Sequence, residues 1–240
     1  MKLDSENPLV YINIANAYEK MGSKSKVIEY YEKAMEIAPE NQQVLSSYAK
    51  TLTKYDKTED AKIVYEKALE VSDTSADDKY EYCVSLADNY YKNKNYENAL
   101  VQYIKASGIK PNDEIINIKI GNTYKGLGEL DKAISSYDAA IKVAPANPDA
   151  YFNKGLCQAE LNDLEKAKNS FSKVVELKPD YAYAYYALGL AFEKEDDLQS
   201  AIQNYEKFIE FSQDKNLRSN IQNKVDNLKK KLPQEESAND

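Results

Sequence analysis

YFNKGLCQAELNDLEKAKNSFSKVVELKP, residues 151–179, carries two helical faces in one short stretch. Gly155 and Gln158 share one face, and Ala167, Phe171 and Val174 share another, because residues three and four apart are neighbours on a helix surface. A small residue opposite a large aromatic one lets two helices approach closely and interlock. Asn162-Asp163 lies between the two faces and is polar enough for a turn. Pro179 closes the stretch, since its ring and missing N–H stop a helix. The reading is one helix, a tight turn, and a second helix packed back on the first.

Outward from this stretch the same pattern recurs. The small residue of the second helix appears as Val27, Ala61, Ala99, Ala133, Ala167 and Ala201, at separations of 34, 38, 34, 34 and 34. Four residues later stand Tyr31, Tyr65, Tyr103, Tyr137, Phe171 and Tyr205. Three further on come Ala34, Ala68, Ala106, Ala140, Val174 and Phe208. The first helix has its own ladder: Ala15, Ala49, Ala87, Gly121, Gly155 and Gly189. Proline punctuates four of the six ends, at Pro39, Pro111, Pro145 and Pro179, while Asp73 and Gln213 stand at the other two. A fixed period of this length is the signature of a repeat array.

The period and the small–aromatic–small–Pro pattern resemble the tetratricopeptide repeat. The resemblance covers residues 8–215, read as units 8–41, 42–75, 80–113, 114–147, 148–181 and 182–215. It implies an all-α, right-handed α-solenoid of antiparallel helix pairs, with the first helices lining a concave groove. Members of the family usually bind peptides or helices of partner proteins there.

Residues 1–7 form a lead-in. The four extra residues 76–79 fall in a polar stretch and predict a longer loop after the second unit, with Ser75 placed to cap the next helix. Beyond the sixth unit, Leu217, Ile221, Val225, Leu228 and Leu232 recur at helical spacing, so 216–232 reads as a capping helix with one apolar stripe. The acidic tail 233–240 is expected to be disordered. Lys154 and Gln158 put polar groups on a normally packed face and require local partners there.

Composition narrows the function. The net charge is −8, and the only basic cluster lies in the terminal helix around Lys229–Lys231. Nucleic-acid binding usually needs a basic face, so it is not expected. No apolar run is long enough to span a bilayer, and the N-terminus lacks the pattern of a secretory signal. The expected location is the cytoplasm, with export after removal of a signal as the alternative. The chain has no histidine, and its two cysteines lie two repeats apart. That removes the commonest general base and metal ligand and argues against a disulfide. No catalytic constellation, cofactor or metal is expected.

The first helices supply the candidate partner-binding groove: Asn13, Asn16, Ile118, Lys119, Asn122, Phe152, Asn153, Leu156, Tyr183, Tyr186 and Leu190. The first three units present a polar groove with Lys50, Lys54 and Lys92; the last three present an apolar, aromatic one with two asparagines. Family members that hold chaperone C-terminal carboxylates use two asparagines and three basic residues. Asn122 and Asn153 match the asparagines, but Tyr183 and Ala187 stand where basic residues are needed and Lys119 is misplaced. The clamp is incomplete, which disfavours a co-chaperone. The leading expectation is a non-catalytic scaffold or adaptor binding a peptide or helix in the groove, with Asn122 and Asn153 bonding its backbone. The alternatives are a self-associating structural protein, possible as a homo-oligomer, and an interaction module of a larger enzyme or envelope assembly.

Overall fold

The computed structural model describes residues 6–71 and 74–232. Among the described residues the chain forms thirteen α-helices and no strand. They divide into two compact units, 1–112 and 113–240. The first unit contains α1 (Pro8–Lys20), α2 (Lys24–Ile37), α3 (Gln42–Lys54), α4 (Thr58–Glu70), α5 (Ala76–Lys92) and α6 (Tyr96–Ile109). The second contains α7 (Glu114–Gly126), α8 (Leu130–Val143), α9 (Pro148–Glu160), α10 (Leu164–Leu177), α11 (Ala182–Lys194), α12 (Leu198–Phe211) and α13 (Lys215–Lys229). Consecutive helices pair from α1/α2 to α11/α12, giving an all-α helical repeat fold.

Local chemistry explains the boundaries. Polar residues cap the first helices of five pairs through their side-chain oxygens: Asn7, Asn41, Ser75, Asp113 and Asn147 each accept a bond from a first-turn N–H. Each such bond satisfies a donor that the helix itself cannot. At the other end, the residue before each punctuating proline leaves the helical region, as Ala38, Lys110, Ala144 and Lys178 all do. The proline ring clashes with a helical predecessor. Within each pair the turn needs one residue with positive φ. Gly22 and Gly128 supply it at no steric cost, and Asp56, Lys94, Asn162 and Asp196 supply it elsewhere. Asn and Asp tolerate this conformation through local hydrogen bonds; Lys94 has no such help and costs about 1 kcal/mol or more.

The cores are the ladders read from the sequence. In the first unit Tyr31, Tyr65, Ala34, Ala68 and the first-helix Ala15 and Ala49 are buried together with Leu45, Leu52 and Leu86. In the second, Tyr137, Phe171 and Tyr205 are at most 1% exposed. A Cβ built on Gly121, Gly155 or Gly189 would lie 2.6, 2.6 and 2.5 Å from the rings of Tyr137, Phe171 and Tyr205 respectively. Glycine at these three positions lets each ring sit directly on the opposing backbone.

The long loop expected at 76–79 does not form. These residues are the first turn of α5, which runs for 17 residues where most of its counterparts run for 13. Four residues are close to one helical turn, so the insertion lengthens the helix and rotates its buried face by only about 40°. Ser75 caps it as the sequence suggests, accepting from the Asp78 N–H at 3.1 Å. Lys154 and Gln158 find their partners: Lys154 donates to Asp138 at 2.6 Å, and the Ser170 hydroxyl donates to Gln158 at 2.6 Å. Cys83 and Cys157 are buried free thiols whose pKa burial pushes up. Asp73, residues 1–5 of the lead-in and the tail 233–240 lie outside the described residues.

The terminal helix packs as its stripe requires. Ile221, Val225 and Leu228 are buried against Ala201, Ile202, Tyr205 and Phe208 of α12, with Leu217 and Leu232 alongside. Asp214 caps its start by accepting from the Leu217 N–H at 2.9 Å.

Candidate functional site

A buried tyrosine needs a partner for its hydroxyl, and in the first, third and fourth pairs one recurring first-helix position supplies it. The positions 34 residues apart along this row are Asn16, Lys50, Asp88, Asn122, Leu156 and Leu190, with 38 at the insertion. The Tyr31 hydroxyl donates to Asn16 Oδ1 at 3.3 Å, Tyr103 to Asp88, and Tyr137 to Asn122 Oδ1 at 2.7 Å. In the fifth pair the aromatic residue is Phe171, which has no hydroxyl, and its counterpart is Leu156. In the sixth, the counterpart is Leu190, and the Tyr205 hydroxyl turns instead to Glu193 Oε2 at 2.6 Å.

Leu156, Leu190 and Phe171 border an apolar pocket of about 470 Å³ within the second unit. Leu156, Phe171, Ala187, Leu190 and Ala191 form much of its wall. The volume falls within the range of about 300–1,000 Å³ typical of ligand pockets. One end is charged: Glu193 and Lys194 from α11, and Lys224 from α13. Lys224 Nζ lies 2.7 Å from Glu193 Oε2 and 5.2 Å from the centre of the Tyr205 ring. Burial opposes ionisation of Glu193. Hydrogen bonds from Lys224 and Tyr205, with the charges of Lys224 and Lys231, outweigh it and hold the carboxyl below its ordinary pKa.

The structure brings Leu156 and Leu190, two of the residues expected in the groove, into this one pocket. The others fall elsewhere. Ile118 is half-buried against the cluster of Ala133, Tyr137 and Cys157. Phe152 is half-buried between Phe171 and Tyr181, with ring centres 5.7 and 5.2 Å away. Tyr186 packs on Tyr205 and Phe208, while Tyr183 is half exposed at 50% with its ring 6.2 Å from Phe208. Asn153 and Lys119 are half-buried on their helices. Asn122 is committed to Tyr137 through its oxygen, which leaves its amide group as its donor. Asn13 and Asn16 are exposed on α1 in the first unit, and Asn16 serves Tyr31. Sequence reasoning missed Phe171 as a wall and Lys194 and Lys224 as a rim. The signal for the first was visible: the tyrosine ladder breaks at Phe171 where the polar row turns to Leu156. Lys224 is brought in by tertiary packing of α13 alone.

Among the described residues no group of acidic, Cys or His side chains could hold a metal ion. No helix among them is long and apolar enough to cross a membrane.

Helix pairs repeated at 34 residues, interlocked by small and aromatic side chains, define an all-α repeat protein of the kind that serves as a protein–protein interaction scaffold. The chain belongs to the tetratricopeptide repeat family. Profiles described as tetratricopeptide repeat match residues 8–41, 80–113 and 182–215, and a TPR repeat profile matches 121–162 and 158–196. A TPR repeat-containing protein of Methanocaldococcus jannaschii is 33% identical over 150 residues, which are 60% of this chain and 26% of that protein. Anaphase-promoting complex subunit 3 of Dictyostelium discoideum is 39% identical over 62 residues, 26% of this chain and 6% of that one. The chain thus spans about a quarter or less of the length of these curated relatives. Among solved structures, YrrB, described as a TPR protein with an unusual peptide-binding site, is similar at a TM-score of 0.64 and 25% identity. The match covers 77% of this chain and 93% of YrrB. A tetratricopeptide repeat protein from Parabacteroides merdae shares the fold at a TM-score of 0.70 and 16% identity, covering 93% of this chain and 87% of its own.

Proposed function

We propose that this chain is a non-catalytic scaffold that holds a peptide or helix of a partner protein against the first helices of its second unit. The observation that carries the reading is the apolar pocket formed where Leu156 and Leu190 replace the polar row. An apolar cleft with a few polar groups at its edge is the usual form of a recognition site, and helix- or peptide-in-groove docking is the mode that fits it. The similarity to YrrB, a peptide-binding TPR protein, supports the same reading. Asn153, on the same helix as Leu156, would offer its amide to a bound backbone, a contact that demands no particular sequence. Self-association through the same surface is the competing reading.

The test is a selection of random 12-residue peptides displayed on phage against the full chain, followed by binding of the enriched peptides to variants. Asn153→Ala and Leu156→Ala should each weaken binding by about 1 kcal/mol or more. Asn122→Ala is a poorer probe, because it also removes the acceptor of the Tyr137 hydroxyl bond, at a cost of about 0.5–1.5 kcal/mol of stability. Phe152→Ala likewise unpacks two rings. If enriched peptides bind the Asn153 and Leu156 variants as tightly as the parent, this surface is not the site. A chain that enriches no peptide and doubles its mass with concentration is a self-associating protein instead.

A further inference from the structure

We infer that the pocket between α9, α10 and α11 takes an apolar side chain of an acidic partner segment, with Lys194 and Lys224 receiving the carboxylate beside it. The inference rests on the reading above and adds the chemistry of the ligand and a second role for α13. Three observations carry it. The wall is almost wholly apolar, so what enters must be apolar. The rim is cationic: of the residues that line the pocket, Lys194 and Lys224 stand against one carboxylate, Glu193, on which the charge of Lys231 also acts. This excess sits in a chain whose net charge is −8, so a segment drawn to this rim is distinguished from one drawn to the acidic remainder of the surface.

The geometry also says how the rim is kept ready. Glu193 is held from two sides, by Tyr205 and by Lys224. Lys224 is thereby fixed at the pocket with donors to spare, since an ammonium has three. Its side chain is still 34% accessible. Lys194 ends α11 and is exposed. The terminal helix therefore does more than cover the last repeat: it delivers one of the two cations that border the pocket. An apolar anchor alone would leave the segment's register free. A carboxylate next to the anchor fixes it and raises the association rate.

The phage-selected 12-residue peptides test this directly. Enriched sequences should place Leu, Ile, Met or Phe next to Asp or Glu. A synthetic peptide of that type should bind the Lys194→Gln/Lys224→Gln chain tenfold or more weakly, with a shallower dependence on salt. It should bind Glu193→Gln several-fold more tightly, because that change removes the opposing charge while the new amide oxygen still accepts from both Tyr205 and Lys224 and so keeps Lys224 at the pocket. A gain of affinity is a result that loss of folding does not produce, so it separates recognition from damage to α13. Enriched peptides without acidic residues, or a Glu193→Gln chain that binds no better, overturn the inference. Peptides weakened by Asn153→Ala but indifferent to the rim variants leave the groove reading standing and remove this one. Indifference to both sets, or no enrichment at all, removes both.

Discussion

Removing α13 by ending the chain at Gln213 should unfold the sixth helix pair before the rest of the second unit. The helix buries Ile221, Val225 and Leu228, each at most 5% exposed, on the face of α12 that carries Tyr205 and Phe208. Burial of such side chains contributes about 1.5–3 kcal/mol each as an upper bound, so the loss is on the order of 5 kcal/mol. That is a large part of the stability of any domain. In a repeat array each unit leans only on its neighbours, so the damage should be local. Amide hydrogen exchange should rise sharply in α11 and α12 and change little in α7 and α8. The exposed Asn223→Ala on the same helix should stay within about 0.5 kcal/mol of the parent. Uniform loss of protection throughout the second unit, or none in α11 and α12, would show that the helix is not a local cap.

Gly155→Val should lower stability by about 3 kcal/mol, the upper part of the range for overpacking a core. The built Cβ lies 2.6, 2.8 and 3.0 Å from three atoms of the Phe171 ring. The ring is 1% exposed and has little room to retreat. For a chain of this size such a loss lowers Tm by roughly 6–12 °C. Gly108→Ala should act in the opposite direction. It sits in a helix with nothing within 4 Å of the added carbon, so reduced backbone entropy in the unfolded chain should add about 0.5–1 kcal/mol. Trimming the ring in the double variant Gly155→Val/Phe171→Leu should recover part of the loss, since the two positions are in direct contact. Calorimetric melts of the four chains decide it. Equal effects of the Gly155 and Gly108 substitutions would mean that the close approach is not what holds the pair together.

The ladders made most of the fold legible because interlocking helices demand a small residue at one fixed position and a ring at another. Gly121, Gly155 and Gly189 are read from spacing and found under the rings of Tyr137, Phe171 and Tyr205. The four-residue insertion was misjudged because polar composition is shared by loops and by the first turns of helices. Ser75 and Asp78 marked the true boundary. The site was legible only in part. Leu156 and Leu190 stand out by position, since the row they occupy is polar elsewhere. The role of Asn122 was not, because its commitment to Tyr137 pairs residues 15 apart on two helices. Nor was Lys224, which reaches Glu193 from 31 residues away through the packing of a helix outside the repeats.

On the proposed reading, partners are held by the first helices of the second unit, at the Leu156–Leu190 pocket. Methyl NMR of the full chain, titrated with a selected apolar–acidic peptide, tests it most directly. Isoleucine, leucine and valine probes lie on both kinds of surface: Leu156, Leu190 and Ile118 on the first helices, and Ile63, Val101 and Ile104 exposed on the second helices. The methyl signals of Leu156 and Leu190 should shift most and saturate with one affinity, while those of Ile63, Val101 and Ile104 stay in place. Shifts confined to Ile63, Val101 and Ile104, with Leu156 and Leu190 unmoved, would contradict it.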